Sequence, residues 1–168
     1  MTCAHPRRCI NLMRKFLADS HNLTYQNVKR SIILRKDPDG GFSTTLIEEN
    51  TPFIEIFYDF EEYKEDEIFR KFIISLDSSM QEFANITLSL LHEMGHNVHR
   101  NKTFSYDRTE MMKKIEKEAQ SEEDLHFGYF QLPDELAATK WAINWLKKKE
   151  NRLLAKQFEK EYFEAFRG

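Results

Sequence analysis

The chain has 168 residues, 40% of them hydrophobic and 13% aromatic, and a formal net charge of -3. That length suits one domain burying about two thirds of its unfolded surface, and a composition with 14 Phe and 6 Tyr excludes a disordered polymer. Two cysteines are too few for a disulfide framework and suit a reducing compartment.

Charge is unevenly spread. Residues 1–36 carry eight Lys/Arg against Asp19 alone, and residues 37–69 carry eleven Asp/Glu against Lys64 alone. An acidic block so close to a basic one can neutralise it through pairs between neighbouring elements, which argues against a nucleic-acid partner. No apolar signal core follows Met1 and no run of 18 apolar residues occurs, so the expected location is the cytoplasm, with no membrane partner.

In chain order, Cys3, His5 and Cys9 offer three ligands for a metal but no fourth, and ordinary thiols are the simpler reading. Pro6 and the spacing of Ile10, Met13, Phe16 and Leu17 predict a helix over about 6–19. Val28–Lys36 and Phe42–Ile47 flank Asp37-Pro38-Asp39-Gly40-Gly41, a strong turn signal, and read as a β-hairpin; Phe53–Tyr58 follows as a third strand. Residues 65–76 fit both periods and lean to helix, because Ile68, Phe69, Phe72, Ile73 and Leu76 make a stripe behind Glu65-Asp66-Glu67.

Asp77 or Ser78 can cap a long helix with Met80, Phe83, Thr87, Leu90, Leu91, Met94 and Val98 along one face. Residues 108–120 suit a charged helix, and the stretch around Ser121–Gly128 reads as irregular. Pro133 fits the first turn of a helix with Ala137, Ala138, Trp141, Ala142, Trp145 and Leu146 on its apolar side. A last amphipathic helix carries Leu153, Leu154, Phe158, Tyr162, Phe163 and Phe166. The fold class expected is α+β: a small antiparallel sheet packed with a mainly helical, zincin-like domain.

Chemistry concentrates in His92-Glu93-Met94-Gly95-His96. On a helix, His92 and His96 stand one turn apart on one face, so both rings can hold one metal ion, and Glu93 lies about 100° round, beside the ion. That is the pattern of a zinc hydrolase, in which the carboxylate takes a proton from the attacking water. Gly95 costs about 1 kcal/mol against Ala in a helix interior, which close approach by another element would explain.

A catalytic zinc needs a third protein ligand. The extended motif with a third histidine fails, because the positions it requires hold His99 and Lys102. His99 itself lies two turns from His92, about 10.5 Å along the helix at 1.5 Å per residue, too far to share an ion readily. Glu135, at the start of the Pro133 helix, is the favoured ligand if that helix crosses the first. Asp134, Glu122, Glu123, Asp124 and His126 remain alternatives. His99, Tyr106, His126 and Tyr129 are available to stabilise an oxyanion, though each is more simply structural.

The segment Leu91-His92-Glu93-Met94-Gly95-His96 resembles the HExGH helix of the ImmA/IrrE family of gluzincin-like zinc metallopeptidases. Glu135-x-x-Ala138-x-x-Trp141-Ala142-x-x-x-Leu146 is similar to that family's downstream acidic helix. The likeness covers about residues 25–147, and Ala137 departs from it where the family often carries a second acid. It implies one metallopeptidase-like domain over 1–168, with a C-terminal helix over about 150–166. It further implies a zinc endopeptidase with ligands His92, His96 and Glu135 and base Glu93, cleaving a cytoplasmic protein such as a transcriptional repressor. The rival expectations are a catalytically weak, metal-containing regulatory binding module and a non-peptidase zinc hydrolase. An extended peptide could pair with a sheet edge, for which Phe53–Tyr58 is the first candidate.

Overall fold

The computed structural model describes residues 3–20, 32–36, 43–46, 54–58, 64–99 and 101–168. The first helix, α1 (Pro6–Ser20), starts at the proline because an N1 residue needs no donor for the helix. It buries Cys9, Met13, Phe16 and Leu17 along one stripe. That stripe lies on the final helix, α7 (Lys149–Arg167), which buries Ala155, Phe158, Tyr162 and Ala165. Phe16 stacks on Phe158 at 4.4 Å with 5° between the rings and meets Trp145 edge-on at 5.8 Å. Trp145 also donates its indole N–H to the Ser20 carbonyl at 3.0 Å, satisfying an acceptor that the end of α1 leaves open. The Cys3 and Cys9 sulfurs are 3.2 Å apart as free thiols. With His5 they form no metal-binding group among the described residues.

The expected α+β class is overturned. Among residues described through their side chains, 82% are helical and none belongs to a strand, so the body that carries the site is all-helical. Backbone pairing does join three short strands, β1 (Ile32–Lys36), β2 (Ser43–Leu46) and β3 (Ile54–Tyr58), but not as a hairpin meander. Their order is β1-β3-β2, with Leu34 beside Ile56 in a parallel pair and Thr44 beside Ile56 in an antiparallel one. A turn signal reverses the chain direction without choosing hydrogen-bond partners: β1 and β2 do run oppositely, yet β3 lies between them. Hence β3 is the central strand, and Phe53–Tyr58 cannot serve as an edge for a substrate. The turns at 37–41 and 50–52 lie outside the described residues.

Residues 65–76 fall in a helix, α2 (Lys64–Leu76), which buries Ile68, Phe69, Phe72 and Ile73. Asp77 does act as a cap, accepting from the Ser79 N–H at 3.0 Å, but it caps only a 3-10 turn, Ser78–Glu82. The motif helix, α3 (Asn85–Val98), therefore begins later than predicted, with Ala84 as an N-cap that has no side-chain acceptor. Glu159 on α7 supplies one instead, accepting from the Ala84 N–H at 2.6 Å and from the Thr87 hydroxyl at 2.8 Å. Arg70 on α2 reaches across to the carbonyls of Gln81 and Phe83.

Eleven of the 14 residues of α3 are buried, so it is a central helix and not the one-faced amphipathic helix expected from its apolar spacing. Next come α4 (Arg108–Glu118), capped by Asp107, and α5 (Glu122–Phe130), capped by Ser121, where an irregular stretch was expected. The cap overrides Gly128, which costs only about 1 kcal/mol in a helix. Then α6 (Pro133–Lys147) crosses α3 at its glycine: a Cβ on Gly95 would lie 2.5 Å from the Ala138 carbonyl oxygen. Two small residues thus let the backbones touch beside His96. Among the described residues no helix is long and apolar enough to cross a membrane.

Candidate metal centre

The crossing of α3 and α6 brings three potential ligands to one point. His92 Nε2 and His96 Nε2 lie 2.9 and 3.0 Å from Glu135 Oε2, and 3.1 Å from each other. The rings are nearly perpendicular, at 89°. His92 and Glu135 are buried, and the His96 side chain is 22% exposed, so the group opens on the His96 side. This buried group could hold a metal ion.

The donor set can be tested against that use. Carboxylate oxygen and neutral imidazole nitrogen are ligands of choice for a divalent transition metal. At bond lengths of about 2.0–2.1 Å, tetrahedral ligands stand about 3.3 Å apart, a few tenths of an ångström beyond the separations seen here. Beside them, Glu93 is buried and its Oε2 has no hydrogen-bond partner among the described residues. A buried carboxylate oxygen left open is costly unless a ligand or solvent completes it. The residues fit a metal with a carboxylate poised next to it.

The electrostatics agree with the geometry. Burial pushes the Glu93 carboxyl above its usual range, against the lowering influence of His92 and His96. Burial works to raise Glu135 as well, but its hydrogen bonds to His92 and His96 outweigh this and hold it well below the usual carboxylate range. For His96, burial lowers the pKa, and the hydrogen bond and charge of Glu135 more than reverse it. Glu135 is thus ionised and acceptor-only, as a ligand must be.

A second ring of side chains holds the first. Tyr129 donates its hydroxyl to Glu135 Oε1 at 2.8 Å, leaving Oε2 for the histidines. Burial and Glu135 push the Tyr129 hydroxyl up, so it remains a donor. The Arg108 guanidinium sits 5.5 Å from the centre of the Tyr129 ring and pairs with Asp134 at 2.9 Å. Asp134 also accepts from Tyr106. Thr139 Oγ1 is 3.0 Å from His92 Nδ1. Phe69 on α2 meets the His92 ring edge-on at 5.0 Å.

The alternative ligands are engaged elsewhere. Asp134 belongs to Arg108, Glu123 to Lys71 at 3.1 Å, and Asp124 accepts from the Gln120 N–H. Glu122 and His126 face one another at 3.9 Å. His99 ends α3, where its N–H closes on the Gly95 carbonyl, and its ring is against Phe104. Of the four residues considered for an oxyanion, Tyr129 and Tyr106 are committed to carboxylates.

Sequence reasoning missed Thr139 and Arg108. A buried Thr one turn after a ligand acid, on an otherwise apolar face, is a signal for the first; Arg108 comes from another helix and left none. Compared with protein-family models, with curated proteins and with solved structures, the chain finds no match.

Proposed function

We propose that the protein is a zinc-dependent endopeptidase of the ImmA/IrrE type, acting on a cytoplasmic protein such as a transcriptional repressor. The observation that carries this reading is the meeting of His92, His96 and Glu135 within 3.1 Å, next to Glu93, whose Oε2 has no partner among the described residues. His92, His96 and Glu135 would hold the metal. Zinc bound there supplies Lewis acidity, polarising a peptide carbonyl and acidifying water.

The chain's own residues do the rest. Glu93 accepts the proton of the attacking water at Oε2 and returns it to the nitrogen of the leaving amine. Its raised pKa is the direction a group needs if it is to take and give back a proton near neutrality. Tyr129 and Arg108 keep Glu135 oriented and anionic, and the buried faces of α3 and α6 exclude bulk water. With β3 central, β1 and β2 are the outer strands among the described residues, and β2 touches α3, so an extended peptide pairing with β2 would run toward the metal.

The test is zinc content and cleavage of candidate partner proteins by wild type and Glu93→Gln. Zinc retained by both and cleavage lost only in the variant is the expected result. Cleavage that survives the substitution sinks the mechanism, and a regulatory effect equal in both proteins points to a binding module instead.

A further inference from the structure

Thr139 meets the His92 ring from the opposite helix. It is fully buried on α6, one turn beyond Glu135. Its Oγ1 stands 3.1 Å from the Glu135 backbone carbonyl and 3.0 Å from His92 Nδ1. We propose that Thr139 is a positioning residue that accepts the His92 Nδ1–H and so holds the ring with Nε2 turned toward the metal.

A threonine hydroxyl has one hydrogen to donate and two lone pairs to accept with. The Glu135 carbonyl can only accept, so the Thr139 hydrogen goes there, in the back-bond to the residue four earlier that helical Thr commonly makes. Nothing is then left to donate to the imidazole. At the His92 contact the hydroxyl accepts, and Nδ1 must carry the hydrogen. A neutral ring with Nδ1–H has its free lone pair on Nε2, the atom turned toward His96 and Glu135. A metal there would replace the hydrogen that Nε2 shares with Glu135 Oε2 at 2.9 Å, while Thr139 keeps the one on Nδ1.

One hydroxyl therefore links two ligands from different helices: the ring of His92 on α3 and the backbone of Glu135 on α6. Lateral movement of α6 would turn the ring with it.

The inference rests on the metal reading, and two measurements on the full chain keep them apart. Proton–nitrogen spectra of the zinc-loaded protein show, through the rate of exchange with solvent, whether the His92 Nδ1 proton is held in a hydrogen bond. Competition with a chromophoric chelator gives the zinc affinity of wild type, Thr139→Ser and Thr139→Val. A slowly exchanging His92 Nδ1 proton is expected in wild type and in Thr139→Ser, with near-equal zinc affinities. Thr139→Val, which keeps the shape and removes the acceptor, should bind zinc about 10–100-fold more weakly, with an unchanged far-ultraviolet dichroism spectrum. A His92 Nδ1 proton that exchanges as fast in wild type as in Thr139→Val, or a Val variant with wild-type affinity, overturns the proposal alone. A wild type that binds no zinc refutes the metal reading and the proposal with it.

Discussion

Replacing Gly95 with Ala probes the crossing on which the centre depends. The new methyl would stand 2.5 Å from the Ala138 carbonyl oxygen, 2.8 Å from its Cα and 3.0 Å from its carbonyl carbon. All three are backbone atoms, so no side-chain rotation relieves the clash. A carbon–oxygen contact settles near 3.3 Å or beyond, which requires α3 and α6 to part by about 0.8 Å. Overpacking of this kind costs about 1–3 kcal/mol, and the unyielding neighbour places it at the upper end. Alanine returns about 1 kcal/mol of helix propensity, for a net loss of about 2 kcal/mol. In a chain of this size that lowers the melting temperature by roughly 4–8 °C. The same movement stretches the 2.9 Å separation of His92 and Glu135, so zinc affinity should fall with it. Gly128→Ala is the control: its intruding methyl meets Ile115 side-chain atoms, which can turn away. Calorimetric melts and chelator competition on both variants provide the readout. A Gly95→Ala protein that melts at or above wild type and binds zinc equally well would refute the reasoning.

Two further predictions concern parts of the fold away from the ligands. Glu159→Ala removes the acceptor for the Ala84 N–H and the Thr87 hydroxyl at the start of α3. It should cost about 1 kcal/mol, as loss of a helix cap does, read as a lower urea midpoint; an unchanged midpoint would show that solvent caps the helix equally well. Burial and the neighbouring Cys3 push the Cys9 thiol up to about 12. Because the folded value lies above the unfolded one near 9, its contribution to stability is complete below that value and is lost as pH rises toward 12. At about pH 8, iodoacetamide should label Cys3 well before Cys9, since only a thiolate alkylates; equal rates in peptide mass mapping would contradict the buried, protonated state.

The elements legible in the sequence are those with local causes. Pro6, Pro133 and the apolar spacing between them and their helix ends mark α1 and α6 to within a residue or two. The onset of α3 is not legible in the same way, because Asp77 is a sound cap wherever it stands, and only packing shows that it serves a short 3-10 turn. The sheet differs from expectation for a related reason: strand content follows local propensity, whereas strand order depends on long-range partners. Likewise the apolar spacing of α3 describes one face, and the structure buries nearly all of it beneath α1, α2 and α6.

At the centre, the division falls between one helix and two. Four residues of a helix place His92 and His96 on one face whatever else the chain does, and so the pair and the adjacent Glu93 were determined by sequence alone. Glu135 could only be nominated, because a carboxylate 39 residues beyond His96 reaches the same point only if α6 crosses α3 at Gly95 and Ala138. That crossing also placed Thr139 against His92, while the remaining acids were spent on Arg108, Lys71 or the Gln120 backbone N–H. Ligand type is a property of residues; ligand convergence within 3.1 Å is a property of packing.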